Sequence, residues 1–241
     1  MKDIQSQLDS RRINIKKVGV KTVSYPITVR DKARKRQHTL GTANMYVNLP
    51  HRFKGTHMSR FVEILNDFHG EIDIKSFHII LEKMKDKLEA EASHLEITFP
   101  YFLQKEKKGG KKVLGLYHCS MHGSLEQEDT LTISIEVPIS LPVVQKILQR
   151  LPGSMGKWGR ADVHVKCSHF FWIEDIILLV EKAVRKELTE THGVSGRSLS
   201  VEALVMGIGS SLEKISEIVW FSVTVHNFGD DCSTFATMES G

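Results

Sequence analysis

Thr130-Leu131-Thr132-Ile133-Ser134-Ile135-Glu136-Val137 marks the point where the chain begins to repeat its order of elements. Leu131, Ile133, Ile135 and Val137 alternate with Thr132, Ser134 and Glu136, the period of a strand with one apolar and one polar face. The stretch opens a second round of an order that the chain has already run once. Upstream, Val18–Val29 reads as a strand with a bend at Pro26, and Asp31–Arg36 as a charged turn. Gln37–Leu49 reads as a second strand, with Met45, Val47 and Leu49 on one face and Asn44, Tyr46 and Asn48 on the other. Two helices follow. Ser59 is placed to cap Arg60–Phe68, which Gly70 ends. Asp73 is placed to cap a longer helix to about Ala92, with Ile74, Phe77, Ile80, Leu81, Met84 and Leu88 at helical spacing. His94–Gln104 and Val113–His122 read as strands, joined by the Lys- and Gly-rich loop Lys105–Lys112, whose charge reads as solvation.

Downstream of Val137, Asp162–Cys167 reads as a strand, Ile173–Leu188 and Leu199–Ile215 as helices, and Glu217–Phe228 as a strand. The order β-β-α-α-β-β is therefore followed by β-β-α-α-β. Each half is expected to be an antiparallel sheet with two helices on one face, an α+β layout. The expected division is residues 1–124 and 125–241.

Bulk properties narrow the function. A chain of 241 residues with 41% hydrophobic content can bury a core. The formal charge of +4 is mild and spread along the chain, so it favours an anionic ligand without requiring nucleic acid. Cys119, Cys167 and Cys232 lie far apart, a pattern that suits a reducing compartment rather than a disulfide framework. The first residues are polar and do not read as a signal peptide, and no apolar run reaches the roughly 20 residues needed to span a bilayer. A soluble cytoplasmic protein is expected.

Lys54-Gly55-Thr56-His57-Met58-Ser59-Arg60-Phe61 has the composition of a polar site. This octapeptide, with Asp3-Ile4-Gln5, Asp9-Ser10-Arg11, Val18-Gly19-Val20-Lys21, Tyr25-Pro26, Gln37-His38-Thr39 and Leu49-Pro50-His51, resembles the GTP cyclohydrolase I family, type IB. Phe171-Trp172-Ile173-Glu174-Asp175 and Trp220-Phe221-Ser222-Val223 add to the resemblance. It is strong over residues 3–140 and patchy beyond. It implies a tandem tunnelling fold of two β-β-α-α-β-β units and a homotetramer with sites at subunit interfaces. It further implies hydrolysis of GTP to 7,8-dihydroneopterin triphosphate and formate, the entry step to folate and related pterins.

The resemblance also assigns residues. His57 and Arg60 are catalytic by the family motif. Lys54 and Ser59 bind substrate beside them, with His38 of Gln37-His38-Thr39 as a further contact. Glu202 falls at the position of the family's purine-anchoring carboxylate, although the surrounding Ser200-Val201-Glu202-Ala203 matches in part. The family reaction uses a divalent metal (zinc, manganese or iron) to activate the water that attacks the purine. Glu187 and Cys232 stand nearest to family metal-site positions. Where the family carries Leu-Cys-Pro-Cys-Ser-Lys and Gly-Ala-His-Asn-Gln-Arg, this chain has Ile139-Ser140-Leu141-Pro142-Val143-Val144 and Gly156-Lys157-Trp158-Gly159-Arg160.

No substitute ligand set is visible. His118 and His122 share a strand face but lie roughly 13 Å apart at about 3.3 Å per residue, and Cys119 points the other way. His164 and Cys167 are opposed by the same parity. Two accounts of the departure stay open. One is a paralogue that keeps the shell, binds purine or pterin, or assembles with an active subunit. The other is local reading-frame disruption over residues 141–170 and 184–209.

Overall fold

A computed structural model of the chain describes residues 15–33, 35–50, 57–68, 74–106, 110, 112–140, 158–169, 171–193, 200–229 and 231–241. Eight strands and four helices lie among them. In chain order they are β1 (Ile15–Asp31), β2 (Lys35–Leu49), α1 (Ser59–Asn66), α2 (Ile74–Lys87), β3 (Ala92–Glu106), β4 (Lys112–Leu125), β5 (Asp129–Ser140), β6 (Trp158–Cys167), α3 (Ile173–Gly193), α4 (Val201–Leu212), β7 (Ile218–Phe228) and β8 (Ser233–Glu239). Strand pairing follows chain order from β1 to β8, and the β1–β2, β2–β3, β5–β6, β6–β7 and β7–β8 ladders are antiparallel. The architecture is α+β, and the order β-β-α-α-β-β occurs twice in full.

Two compact units are present: residues up to Tyr101 with Ser120–Thr132, and Phe102–Cys119 with Ile133–Gly241. In the first, the alternation of β2 and β3 buries Ala43, Met45, Val47, Leu49, Leu95, Ile97 and Phe99. Phe61, Ile64 and Leu65 of α1 and Phe77, Ile80, Leu81 and Met84 of α2 form the other half of that core. Each such side chain contributes about 1.5–3 kcal/mol on leaving water. Gly123 on β4 lets α2 sit close, since a Cβ there would lie 2.6 Å from the Phe77 ring. The Ser93 hydroxyl donates to the Leu81 carbonyl at 2.7 Å, joining β3 to α2 inside the core.

In the second unit, Ile133, Ile135, Val137, Ala161, Val163, Val165, Phe221, Val223 and Val225 form the buried sheet face. Ile176, Ile177, Val180, Ala183 and Val184 of α3, and Val201, Leu204, Val205, Ile208 and Leu212 of α4, are buried at helical spacing. Gly209 of α4 meets the Met238 side chain of β8, the sulfur lying 2.3 Å from where a Cβ would stand.

Several boundaries differ from the sequence expectation, each for a local reason. The irregularities in β1 fall between Ile15 and Val18 and between Val20 and Val23, where Thr22 has φ 57°, rather than at Pro26, which pairs with Leu40 in an edge strand. The β1–β2 ladder runs on to Asp31↔Lys35, so the turn is shorter than Asp31–Arg36. The helix expected from Asp73 to Ala92 ends at Lys87. Glu89 takes φ 48°, the Ala90 N–H reaches back to the Lys85 carbonyl at 2.9 Å, and Glu91 N–H donates to Asn48 at 2.9 Å. Ser59 is not the cap of α1: Met58 holds that position in helical geometry, with no side-chain hydrogen bond, and Ser59 is the first helical residue. The helix α1 ends at Asn66; Gly70 and Asp73 lie outside the described residues. Strand β8 was absent from the sequence reading. Its stretch Ser233–Glu239 lies at the sheet edge, mostly exposed, and its largest apolar side chain, Phe235, faces solvent.

Candidate functional site

In the first unit, α1 gathers three of the candidate residues. His57 is half-buried immediately before the helix, and its carbonyl accepts the Arg60 N–H at 3.2 Å. Ser59 and Arg60 are exposed on the first turn. The Arg60 guanidinium reaches the end of α2, with Nη1 donating to the Lys87 carbonyl at 3.4 Å. Asp67, just past α1, holds both Lys83 (3.3 Å) and Lys87 (3.2 Å) of α2, and these ammonium groups keep its carboxyl below the usual carboxylate range. His38 stands on β2 opposite Thr28, with its Nδ1 2.9 Å from the Thr28 hydroxyl. Lys54 lies outside the described residues.

In the second unit, Glu202 is exposed on the first turn of α4, which Ser200 caps by accepting the Ala203 N–H at 3.1 Å. That is a proper N-cap, unlike the start of α1. Glu187 is half-buried on α3, and its carboxylate lies against Gly207 of α4, with Oε1 3.2 Å from where a Cβ would stand. The packed pair α3–α4 therefore carries both Glu187 and Glu202. Cys232 is exposed in the turn before β8, its carbonyl accepting the Gly229 N–H at 3.0 Å.

Among the described residues, no group of three or more His, Cys, Asp or Glu is close enough to hold a metal ion. Residues 141–157, which stand where the resemblance places Cys and His ligands, contain no His, Cys, Asp or Glu at all. The other thiols do not substitute. Burial, with the Glu136 and Glu174 carboxylates adding to it, pushes the Cys119 thiol far up. Burial, and then Glu217, pushes Cys167 up to about 11. Neither stands in a group of three or more potential ligands among the described residues. The His118 and His122 side chains are exposed and Cys119 is buried, as strand parity required.

Three polar clusters escaped the sequence reading. On the face of the first unit away from the helices, His94 stacks on Tyr46 with ring centroids 4.5 Å apart, and the Lys17 ammonium lies 3.8 Å from the Tyr46 centroid. Burial holds the His94 pKa below its ordinary value. On the corresponding face of the second unit, Arg160 joins Glu136 (Nη1, 3.1 Å) and Asp162 (Nη2, 2.9 Å). Its Nε lies 2.7 Å from the Asp162 carboxylate in poor line for a hydrogen bond. His226 approaches the same Asp162 at 3.2 Å. The third cluster is Lys105, Tyr117 and Glu181. Lys105, expected in the solvated loop, belongs to β3 and is partly buried in an ion pair with Glu181. Strand parity on β2, β3, β6 and β7 was the available signal for the first two. The third joins residues 64 and 76 positions apart and left none.

The sequence model of type I GTP cyclohydrolase folE2 matches residues 1–192. A GTP cyclohydrolase FolE2 of Syntrophus aciditrophicus is 43% identical over 95% of this chain and 94% of its own length. One of Syntrophobacter fumaroxidans is 42% identical over 95% and 94%. Among solved structures, a urate oxidase from Bacillus sp. TB-90 superposes with a TM-score of 0.60 at 10% identity, covering 93% of this chain and 99% of that one. That likeness is one of fold, the tunnelling fold.

Proposed function

The chain belongs to the type I GTP cyclohydrolase folE2 family, and from that premise we propose that it takes GTP and serves its hydrolysis to 7,8-dihydroneopterin triphosphate and formate. The observation that carries this reading is the match to the family over residues 1–192, within which the Lys54–Phe61 motif stands. The product feeds tetrahydrofolate and pterin synthesis.

Each residue role follows from its chemistry. Glu202 is exposed at a helix start and offers only acceptors, which suits the N1–H and N2–H donors of a guanine edge and not the edge of adenine. Arg60 and Lys54 are cations that hold triphosphate oxygens, with Ser59 as a hydroxyl donor beside them. His57, at the head of α1, moves a proton during ring opening, and His38 supports substrate contact. The reading includes a cytoplasmic homotetramer. Among the described residues no helix is long and apolar enough to cross a membrane, and all three cysteines are free.

A second reading has its own observation: residues 141–157 lack every side-chain type that commonly ligates such a metal, and Cys232 and Glu187 do not make a set with others among the described residues. On this reading the chain binds GTP without turnover, or assembles with an active relative. One experiment separates the two. The purified chain is loaded with zinc, manganese or iron, its metal content is measured, and formate release from GTP is followed beside equilibrium GTP binding. Formate release with bound metal establishes the enzyme. GTP binding without metal or formate establishes the second reading. Absence of GTP binding removes the enzyme and the GTP-binding protein and leaves only assembly with an active relative.

A further inference from the structure

The helix that carries Glu187 is held by a polar clamp with no role assigned above. Glu181 projects from α3 to the base of the β3–β4 hairpin. Its Oε1 accepts the Tyr117 hydroxyl at 2.7 Å and pairs with the Lys105 ammonium. The same ammonium donates to the Tyr117 oxygen at 2.6 Å, so three groups close a triangle. One turn on, Arg185 donates to the Glu181 carbonyl at 3.2 Å and stands 3.5 Å from its second carboxylate oxygen. Gly115 makes room for the ring: a Cβ there would lie 2.8 Å from the Tyr117 edge.

We propose that Lys105, Tyr117 and Glu181 form a positioning device that sets the rotation and height of α3, and through the Glu187–Gly207 contact the placement of Glu202. The inference rests on the reading of Glu202 as the guanine anchor. The apolar stripe of α3 holds the helix on the sheet and sets which face turns inward, but such contacts are non-directional and do not fix a single hydrogen-bonded position. A hydrogen-bonded triangle of two charges and a phenol is directional. Glu187 lies six residues beyond Glu181, roughly 9 Å along the same helix. A turn of α3 at Glu181 therefore displaces the face that packs on α4, where the Glu187 carboxylate lies against Gly207. The helix α4 moves with it, and its first turn holds Glu202. Burial and the Glu181 hydrogen bond keep Tyr117 protonated, so the phenol remains a donor across the neutral range.

The test uses Tyr117→Phe, which keeps the ring against Gly115, together with Lys105→Met and the double variant. Equilibrium binding of GTP and of ATP is measured on the full chain, with Glu202→Ala as reference. The expected result is a roughly three- to tenfold loss of GTP preference over ATP in each single variant, with the double variant no worse than the more affected single one. Amide exchange across α3 beyond Glu181 is expected to accelerate. A purely stabilising clamp would lower the melting temperature and leave the GTP-to-ATP ratio untouched. That result, or unchanged exchange in α3, overturns the inference. If the clamp variants keep the wild-type ratio while Glu202→Ala loses it, the clamp is wrong and the anchor stands. If Glu202→Ala itself keeps the ratio, the anchor reading fails and the inference falls with it.

Discussion

The two units run the same order of elements, yet their polar sheet faces have little in common. In the first, the cross-strand pair Tyr46↔His94 is a stack under a lysine. In the second, the pair Arg160↔His226 shares the Asp162 carboxylate. The buried faces, by contrast, are nearly interchangeable in character: Met45, Val47, Leu95 and Ile97 in one, Val163, Val165, Val223 and Val225 in the other. The buried face answers to packing and is apolar apart from hydrogen-bonded exceptions such as Ser93, whereas the open face is free of that constraint. Likeness between the units therefore speaks to fold, and only their differences speak to function.

The largest effect that would sharpen this comparison comes from a glycine shared in kind by both units. A Cβ at Gly159 would lie 2.4 Å from the His226 carbonyl oxygen, and one at Gly19 would lie 1.9 Å from that of Met45. Backbone does not yield as a flexible side chain does. Gly159→Ala, in a strand paired on both sides, is expected to cost about 3 kcal/mol or more. Gly19→Ala is expected to cost about 1–2 kcal/mol despite the closer approach, because β1 is an edge strand with irregular register on either side. Thermal unfolding of the two variants checks the order; a Gly19 variant that loses more than the Gly159 variant would break the argument.

On the proposed function, Glu202 and Arg60 are expected to act on different parts of the substrate. Glu202→Ala is expected to weaken GTP binding about tenfold or more and to erase preference over ATP. Arg60→Ala should weaken GTP and ATP alike by a similar or smaller factor. Titration calorimetry with both nucleotides decides, and a base-selective loss at Arg60 would reverse the division.

Helix starts provide a smaller contrast. Ser200→Ala removes a cap hydrogen bond and is expected to cost about 1 kcal/mol. Ser59→Ala removes none and should leave denaturant midpoints within about 0.5 kcal/mol of the wild type. A drop at Ser59 equal to that at Ser200 would contradict the start of α1 described above.

The smallest expected effect concerns pH. Burial depresses the His94 pKa in the folded chain, while the unfolded value is about 6.5. The folded state then binds fewer protons, so this group's contribution is present above about pH 6.5 and lost as pH falls through the folded pKa. His94→Gln should flatten the acid side of the stability profile by a small margin. Melting temperatures between pH 8 and pH 5 that decline equally in both proteins would show that another group governs it.

Much of the fold was legible because burial repeats with a period. Alternation placed β2, β5 and β7 within a few residues of their ends, and helical spacing placed the apolar stripe of α2. What failed lacked such a period. Strand β8 is an exposed edge whose sequence, Ser-Thr-Phe-Ala-Thr-Met-Glu, buries too little to announce itself. Ser59 has the right chemistry for a cap, but the chain enters α1 one residue earlier, through Met58. The end of α2 was set by the backbone at Glu89 and by a bond to Asn48, and no residue type signals either. Of the candidate site, the His57–Arg60 turn and the first-turn position of Glu202 were readable as local motifs. The proximity of Glu187 to Gly207 was not, because it depends on how two helices cross.

By itself, the sequence determined the α+β class, the doubled order of elements, the inward faces of the strands and the family resemblance. These follow from periodicity and from short motifs, which are local. It also determined that residues 141–157 bring no metal ligand, because composition alone settles that. Only the tertiary structure decided that Lys105, read as a solvated loop charge, closes a triangle with Tyr117 and Glu181. Only the structure put Glu187 against α4 and sealed Cys119 away as a protonated thiol. Such facts depend on distances between residues far apart in the chain, where burial and charge are set by neighbours that no local pattern names.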